Sequence, residues 1–365
     1  MEMIKQRLTR LRNLMRKNEI DVFVLLVEER ANSESCHYIS GFRGSSAALI
    51  IDYEHEFLIT DGRYKTQSKN QSPFEIIIQS KISLPAFIAE HIRNSDYKSA
   101  GFEANKISHA TFEKFFAPIK IKWFDASNFI PELRRTKDGT EIKYIKQAAL
   151  IARNAYGNAL KQIKTGMSEI DFDIILNGEI KKLGAEKGWA HDDFIVASGE
   201  RSAMCHAPAT SKIFKTGDTV TIDYGAMFEG YMSDITRNFA IGTPDKKFIE
   251  INKILLEAHH TAADALKPGV TGREIDSIAR EIISKYGYGE NFLHGLGHGL
   301  GLEVHETPRL SPTSQDILQA GDVVTIEPGI YIEGLGGLRI EDDYLITPSG
   351  HECLTVTDNQ SLEIL

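Results

Sequence analysis

Five side chains spread over the second half of the chain, Asp223, Asp234, His298, Glu327 and Glu341, constrain its fold more than any other feature. They lie in four short phrases: TIDYGAMFEGYMSDITR, HGLGHGLGLEVHE, TIEPGIY and LRIEDD. If the four acids share one pocket, each close pair repels by about 4 kcal/mol at an effective dielectric near ~20. Either most of them are protonated or cations lie among them. Two divalent ions against four carboxylates cancel formally and leave room for a bound hydroxide. Ions ~3.5–4 Å apart hold a nucleophile and a substrate oxygen together. Oxygen-rich ligation with one histidine suits Mn2+, with Co2+ a substitute and Zn2+ less natural because it prefers nitrogen and sulfur. The fold must therefore bring four separated segments to one dinuclear centre.

At 365 residues the chain exceeds the usual size of one domain, so two are expected. The first half alternates strand-like runs (DVFVLLV, SAALIID, EFLIT, FEIII, KSAGF, IKIKWF) with helical ones (LTRLRNLMRKN, GRYKTQSK, LPAFIAEHIR, SHATFEKFF). That alternation predicts an α/β layer domain. A polar stretch, Pro131 to Thr140, leads into a long helix whose apolar positions run from Ile142 through Ile145, Ala149, Ala152, Tyr156 and Leu160 to Ile163. The boundary is placed near 128, giving domains 1–127 and 128–365. Beyond it come a helix over 168–184, a β-hairpin from TVTIDY to ITRNFAIG turning at Phe228-Glu229-Gly230, helices near 247–267 and 272–286, and a strand-rich end.

Bulk properties exclude several classes of function. A formal net charge of −9 argues against nucleic acid and anionic membrane as partners. Cys36, Cys205 and Cys353 are sparse and unpaired in spacing, as in a reduced, cytoplasmic protein. The apolar run after Asp21 is too short to span a membrane and has no small-residue cleavage site. Neither a P-loop, a strand-linked dinucleotide fingerprint nor a G-x-S-x-G elbow occurs. Cys205 and His206 are adjacent, and in an extended strand they would point to opposite faces, which disfavours a thiol–imidazole dyad. Asp342, Asp343 and Glu333 read as surface acids.

In the order Asp, Asp, His, Glu, Glu, these phrases resemble the pita-bread metallopeptidases, and especially their Xaa-Pro aminopeptidase and prolidase branch. YISGFRGSSAALII and FLITDGRY are similar to the first, non-catalytic domain of Xaa-Pro aminopeptidases. The resemblance implies an α/β protein: a creatinase-like N-terminal domain followed by a pita-bread catalytic domain, commonly a homodimer. It implies Asp223, Asp234, His298, Glu327 and Glu341 as metal ligands, with Asp234 and Glu341 bridging two ions. His294 and His305 would lie near the scissile bond and the proline, His206 near the substrate carbonyl, and Tyr331 at the site.

Glu327 is also the proton-shuttle candidate, and Arg339, two residues before Glu341, would orient the acids. The implied reaction is removal of the first residue from peptides with proline second. The proline nitrogen has no N–H to grip, so a bridging hydroxide attacks the carbonyl and the shuttle protonates the leaving nitrogen. The GFRGSSAALII phrase favours the aminopeptidase over an Xaa-Pro dipeptidase, which would need a cation such as Arg43 or His305 for the product carboxylate. A catalytically dead binding module is a remote third reading, since all five ligands are kept.

Overall fold

In a computed structural model the described residues are 2–189, 194–356 and 362–365. The chain falls into two compact units that divide between Arg134 and Arg135, somewhat later than the boundary near 128. The stretch taken as a polar lead is partly a helix, Phe129–Arg135, whose Ile130 and Leu133 are buried. Its charged residues mask a narrow apolar face.

The first unit is built on one mixed sheet. Strands β1 (Val22–Val27), β2 (Ala47–Ile51), β3 (Glu56–Thr60), β4 (Glu75–Ile78), β5 (Ser99–Phe102) and β6 (Lys122–Asp125) lie in the order β4-β3-β2-β1-β5-β6. All residues of β1 and β2 are buried, so these strands read as unbroken apolar runs and not as alternating ones. Helix Glu2–Lys17 buries Ile4, Leu8, Leu11 and Met15, one stripe at helical spacing. Helix Leu84–Arg93 starts where Ser83 Oγ accepts from the Ala86 amide, with Pro85 in its first turn. Two details depart from the sequence reading. Ser33–Ser40 forms a helix closed by Gly41 in the left-handed region, and the last strand begins only at Lys122.

The second unit pairs helices with sheets twice. Helix Gly139–Leu160 opens with a full capping box between Asp138 and Glu141. With helix Glu169–Lys182 it covers β7 (Ile195–Ser198), β8 (Thr219–Tyr224) and β11 (Ile235–Ala240), burying Ala155, Phe172 and Leu176 with Ile222, Tyr224 and Phe239. Helices Lys246–Asp264 and Gly272–Lys285 cover the other sheet: β12 (Gly297–Gly299), β13 (Glu306–Leu310), β14 (Val323–Ile326), β17 (Asp342–Thr347) and β18 (Gly350–Cys353). Two short ribbons, β9 (Met227–Phe228) with β10 (Tyr231–Met232) and β15 (Gly329–Ile332) with β16 (Gly336–Arg339), complete the inner face; β19 (Glu363–Ile364) lies beside β11. This is the expected pita-bread arrangement, and it follows the α/β first domain in the sequence. Among the described residues no helix is long and apolar enough to cross a membrane.

The hairpin of the second unit is the element that matters for the acids. At its tip Glu229 and Gly230 both have positive φ, as the two-residue turn between β9 and β10 requires. Below the tip, Asp223 is paired in register with Thr236 and Tyr224 with Ile235. Gly225 lets the chain pass close to the Ser233 carbonyl and the Trp189 indole; a Cβ there would collide with both. Gly225→Ala is expected to cost about 1–3 kcal/mol in urea unfolding, the usual cost of overpacking, and to weaken divalent-metal binding at the hairpin acids. Unchanged stability and metal affinity would remove this constraint.

Candidate metal centre

Each of the five predicted ligands lies on a strand or directly beside the end of one. Asp223 stands on β8, where alternation sends Ile222 and Tyr224 into the helix-covered core and leaves Asp223 on the inner face. Asp234 immediately precedes β11, His298 is the middle of β12, Glu327 follows β14, and Glu341 joins β16 to β17. The structure brings all five into the wall of one cavity of about 660 Å3, together with His206, His294, His305 and Arg339. One ligand atom from each of Asp234, His298 and Glu341 lies within 4.8 Å of the others. His298 Nε2 is 3.2 Å from Glu327 Oε1 and 3.7 Å from Asp234 Oδ2.

Around these ligands the protein supplies fixed partners. Arg339 Nη2 pairs with Asp223 Oδ2, its Nε donates to Thr236 Oγ1 at 2.9 Å, and its Nη1 donates to the Tyr331 hydroxyl at 2.7 Å. Thr236 Oγ1 in turn donates to Glu341 Oε2 at 2.6 Å. Arg339 thus orients Asp223 directly and Glu341 through a hydroxyl. Tyr331 is 2.9 Å from His294 Nε2, and His294 Nδ1 is 3.9 Å from Glu327 Oε2. The His298 and His305 rings meet edge to face at 4.3 Å. Glycines permit this crowding: a Cβ on Gly297 would enter the Thr325 backbone of β14.

Three readings of single residues need correction. Asp342 and Asp343 are fully buried, not surface acids, whereas Glu333 is exposed. Asp342 accepts from Arg237 Nη2 at 2.6 Å and from Thr355 Oγ1 at 2.7 Å, and Asp343 Oδ2 accepts the Asp234 amide at 3.0 Å. Cys205 and His206 lie in a turn, not in an extended strand; the Cys205 carbonyl accepts from Arg339 Nη1 at 3.2 Å, and His206 is exposed at the cavity wall. Residues that sequence reasoning passed over also line the cavity, among them Trp189 and Arg309. Arg309 is paired across the β12–β13 ladder with His298. Only that long-range pairing distinguishes it from any other strand arginine. Arg43, the alternative cation, belongs to the first unit.

The donor set fits divalent metal. Asp223 Oδ1 and Asp234 Oδ1 are buried without a hydrogen-bond partner. Burial, then the charges of Glu341, Asp223, Asp343 and Glu327, holds the Asp234 carboxyl well above the usual range. Glu341 is raised likewise by burial and by Glu327 and Asp223, and Asp223 is raised by burial although Arg339 opposes it. Glu327 is the exception: burial pushes it up, but the His298 hydrogen bond and the His298, His294 and Arg339 charges win and bring it down to about 2. Cations among these acids remove the penalty that protons otherwise relieve.

Comparison with known proteins agrees. Residues 143–348 match the model of metallopeptidase family M24, and residues 7–136 match the creatinase/prolidase N-terminal domain. The chain is 39% identical to an Xaa-Pro dipeptidase of Pyrococcus furiosus, over 98% of this chain and 100% of that protein. Two solved structures superpose with a TM-score of 0.92: an Xaa-Pro dipeptidase from Bacillus anthracis, 38% identical over 99% of this chain and 100% of that one, and an X-Pro aminopeptidase from Thermotoga maritima, 37% identical over 98% and 99%. A buried acid–histidine cluster on a pita-bread fold makes this a metal-dependent hydrolase. The chain belongs to the M24 metallopeptidases, with a creatinase-type first domain.

Protons and metal should compete here. The raised carboxyls of Asp223, Asp234 and Glu341 keep protons that an unfolded chain releases above about pH 4. The folded metal-free state therefore binds more protons than the unfolded state above that pH, and its stability falls as pH rises. Glu327 acts oppositely, its contribution being lost as pH falls toward about 2. Metal loading near neutral pH is expected to release protons, and Mn2+ affinity measured by calorimetry in buffers of different ionisation enthalpy should rise with pH. An affinity flat from about pH 5 to 7 would contradict the assignment of these acids as ligands.

Proposed function

We propose that this enzyme is an Xaa-Pro dipeptidase, cleaving the bond before the proline of a free dipeptide. The observation that carries this reading is Arg309: it lines the metal cavity, and its guanidinium has no partner among the described residues. A dipeptide presents a free carboxylate one residue beyond the scissile bond. A planar, permanently charged guanidinium there suits it. The names of the Pyrococcus furiosus and Bacillus anthracis relatives support the same reading. This reverses the preference for an aminopeptidase drawn from the first-domain phrases. The aminopeptidase is kept as the second reading because of the Thermotoga maritima relative.

In this reading Asp223, Asp234, His298, Glu327 and Glu341 hold two divalent ions, with Mn2+ favoured by the oxygen-rich set. When bound, such ions supply Lewis-acid polarisation of the scissile carbonyl and activation of water near neutral pH. The side chains do the rest. Glu327, held ionised, is the form that accepts a proton, and it returns that proton to the proline nitrogen as the bond breaks. Any amide nitrogen must gain a proton to leave as an amine; what the tertiary amide lacks is an N–H by which the scissile bond could be gripped.

His305 is pushed down to about 4, by burial first and then by the neighbouring His298 charge, so it meets the pyrrolidine as a neutral ring. His206 and His294 flank the carbonyl and the leaving group, and His294 is kept in place by Tyr331. Arg339 acts as a positioning residue for Asp223 and Tyr331. The three free cysteines suit a reducing compartment, and the enzyme is taken to work in the cytoplasm as a homodimer.

Hydrolysis of Gly-Pro, Gly-Pro-Ala and N-acetyl-Gly-Pro by the Mn2+-loaded enzyme tests this directly. Gly-Pro should be the best substrate, chelation should abolish turnover, and the acetylated peptide should react poorly. Arg309→Ala should lower kcat/KM for Gly-Pro by about 10- to 100-fold, the worth of a hydrogen bond to a charged group, while changing the tripeptide little. Faster cleavage of the tripeptide would return the assignment to the aminopeptidase. Equal loss on both peptides would leave Arg309 without a carboxylate-reading role.

A further inference from the structure

Between the short helix Gly289–Asn291 and β12 the chain runs through residues 292–296 without a helix or ladder of its own. His294 lies in the middle of this run and reaches the metal cavity from it. Main-chain polar groups in such a segment must find partners elsewhere. Here they find them on helix Gly272–Lys285. Arg280 Nη1 donates to the Phe292 carbonyl at 3.2 Å and its Nη2 to the His294 carbonyl at 2.8 Å, while Asp276 Oδ1 accepts the Leu296 amide at 3.0 Å. Two side chains thus grip every second residue of the segment.

Asp276 and Arg280 stand one turn apart on the same helix face, where such pairs meet. They join as fork to carboxylate, Nε to Oδ2 at 2.8 Å and Nη2 to Oδ1 at 3.0 Å. Their helix starts at a capping box between Thr271 and Glu274 and sinks Ile275, Ala279 and Ile283 into the core, which gives the pair a rigid base. Asp276 is buried, so its charge must be matched from within, and Arg280 matches it. The guanidinium also lies 4.3 Å over the Phe292 ring, and that ring meets the His294 imidazole edge-on at 5.1 Å. Neither Asp276 nor Arg280 lines the cavity; what they touch is the chain that carries His294 there.

We infer that Arg280, oriented by Asp276, is a positioning residue for His294. The division of labour is visible in the bonds. Tyr331 holds the imidazole through Nε2 at 2.9 Å, and Arg280 holds the main chain from which that imidazole projects. The far end of the segment has separate supports: Leu296 is fully buried, and its carbonyl accepts the Glu327 amide at 2.8 Å. Loss of Arg280 therefore loosens the His294 end and leaves the ligand strands in place. The inference rests on the reading that His294 acts on the bound substrate, and it holds for dipeptides and longer peptides alike.

The test compares the full-length Mn2+-loaded enzyme with Arg280→Gln, His294→Ala and the double variant, on whichever of Gly-Pro and Gly-Pro-Ala is cleaved faster. In Arg280→Gln, kcat should fall by about tenfold or more, as a small displacement of an acting group costs. KM should change little, since the interaction lost is one made in the transition state. Calorimetric Mn2+ affinity should stay at the wild-type value. In the His294→Ala background, Arg280→Gln should bring no further loss, because both changes remove one function. Arg280→Lys keeps a cation beside Asp276 and so guards the fold; lacking the planar fork, it too should lose kcat. Wild-type kcat in Arg280→Gln and Arg280→Lys, even with lower stability in urea, would overturn the inference and leave the pair a structural tie. Losses that add to those of His294→Ala would overturn it as well. Full turnover by His294→Ala would instead overturn the reading of His294 on which the inference stands.

Discussion

The second unit is organised around the difficulty of burying acid. Asp223, Asp234 and Glu341 are all largely withdrawn from solvent, and Asp342 and Asp343 lie directly behind them. Burial alone disfavours each charge, and each neighbour disfavours it further. The protein answers with two guanidinia placed on opposite faces of one strand region. Arg339 meets Asp223 on the inner face, and Arg237 meets Asp342 on the outer one. Between them Thr236 and Thr355 pass hydrogen bonds to Glu341 and Asp342. What these partners leave unmet, the free oxygens of Asp223 and Asp234, is directed at the place where cations belong.

This arrangement explains why two sheets are needed. A single strand can present an acid at every second position, which gives a row and not a cluster. Here β8 and β11 bring Asp223 and Asp234 from one sheet, while β12, β14 and the β16–β17 junction bring His298, Glu327 and Glu341 from the other face. Each sheet is backed by its own pair of helices and its own apolar cluster, so the ligands stand on rigid supports. The cost of precise placement is met by packing remote from the chemistry.

Much of this was legible in the chain. That these five residues would converge on one cavity could be read because acids and histidine in glycine-rich or β-branched phrases are anomalous on local grounds. The first unit could be read because β1 and β2 are buried on both faces and leave unbroken apolar runs. Asp342 and Asp343 could not, because an acid after an acid looks solvated until Arg237 and the Asp234 amide arrive from about a hundred residues away. Cys205 and His206 were taken as extended when a turn follows the short helix Gly199–Ala203. Arg309 matters only through its partner in the β12–β13 ladder. In each case the missing information was a non-local pairing, which no local pattern encodes.

The contrast between Glu327 and the other carboxyls bears on catalysis. Four acids share one cavity, yet Glu327 alone is drawn to the ionised side, because His298, His294 and Arg339 surround it. Asp234 faces mostly other acids and is driven the opposite way. Pairs of titratable groups pushed apart by their surroundings are how a site divides labour between holding a cation and moving a proton. Asp234 and Glu341, costly to ionise alone, gain most from a bound ion and suit the bridging role. Glu327, ionised without such help, is in the state that the proposed proton shuttle requires. His298 and His294, which set this difference, line the same cavity as His305, so the groups that tune Glu327 and the ring proposed to meet the proline lie in one wall.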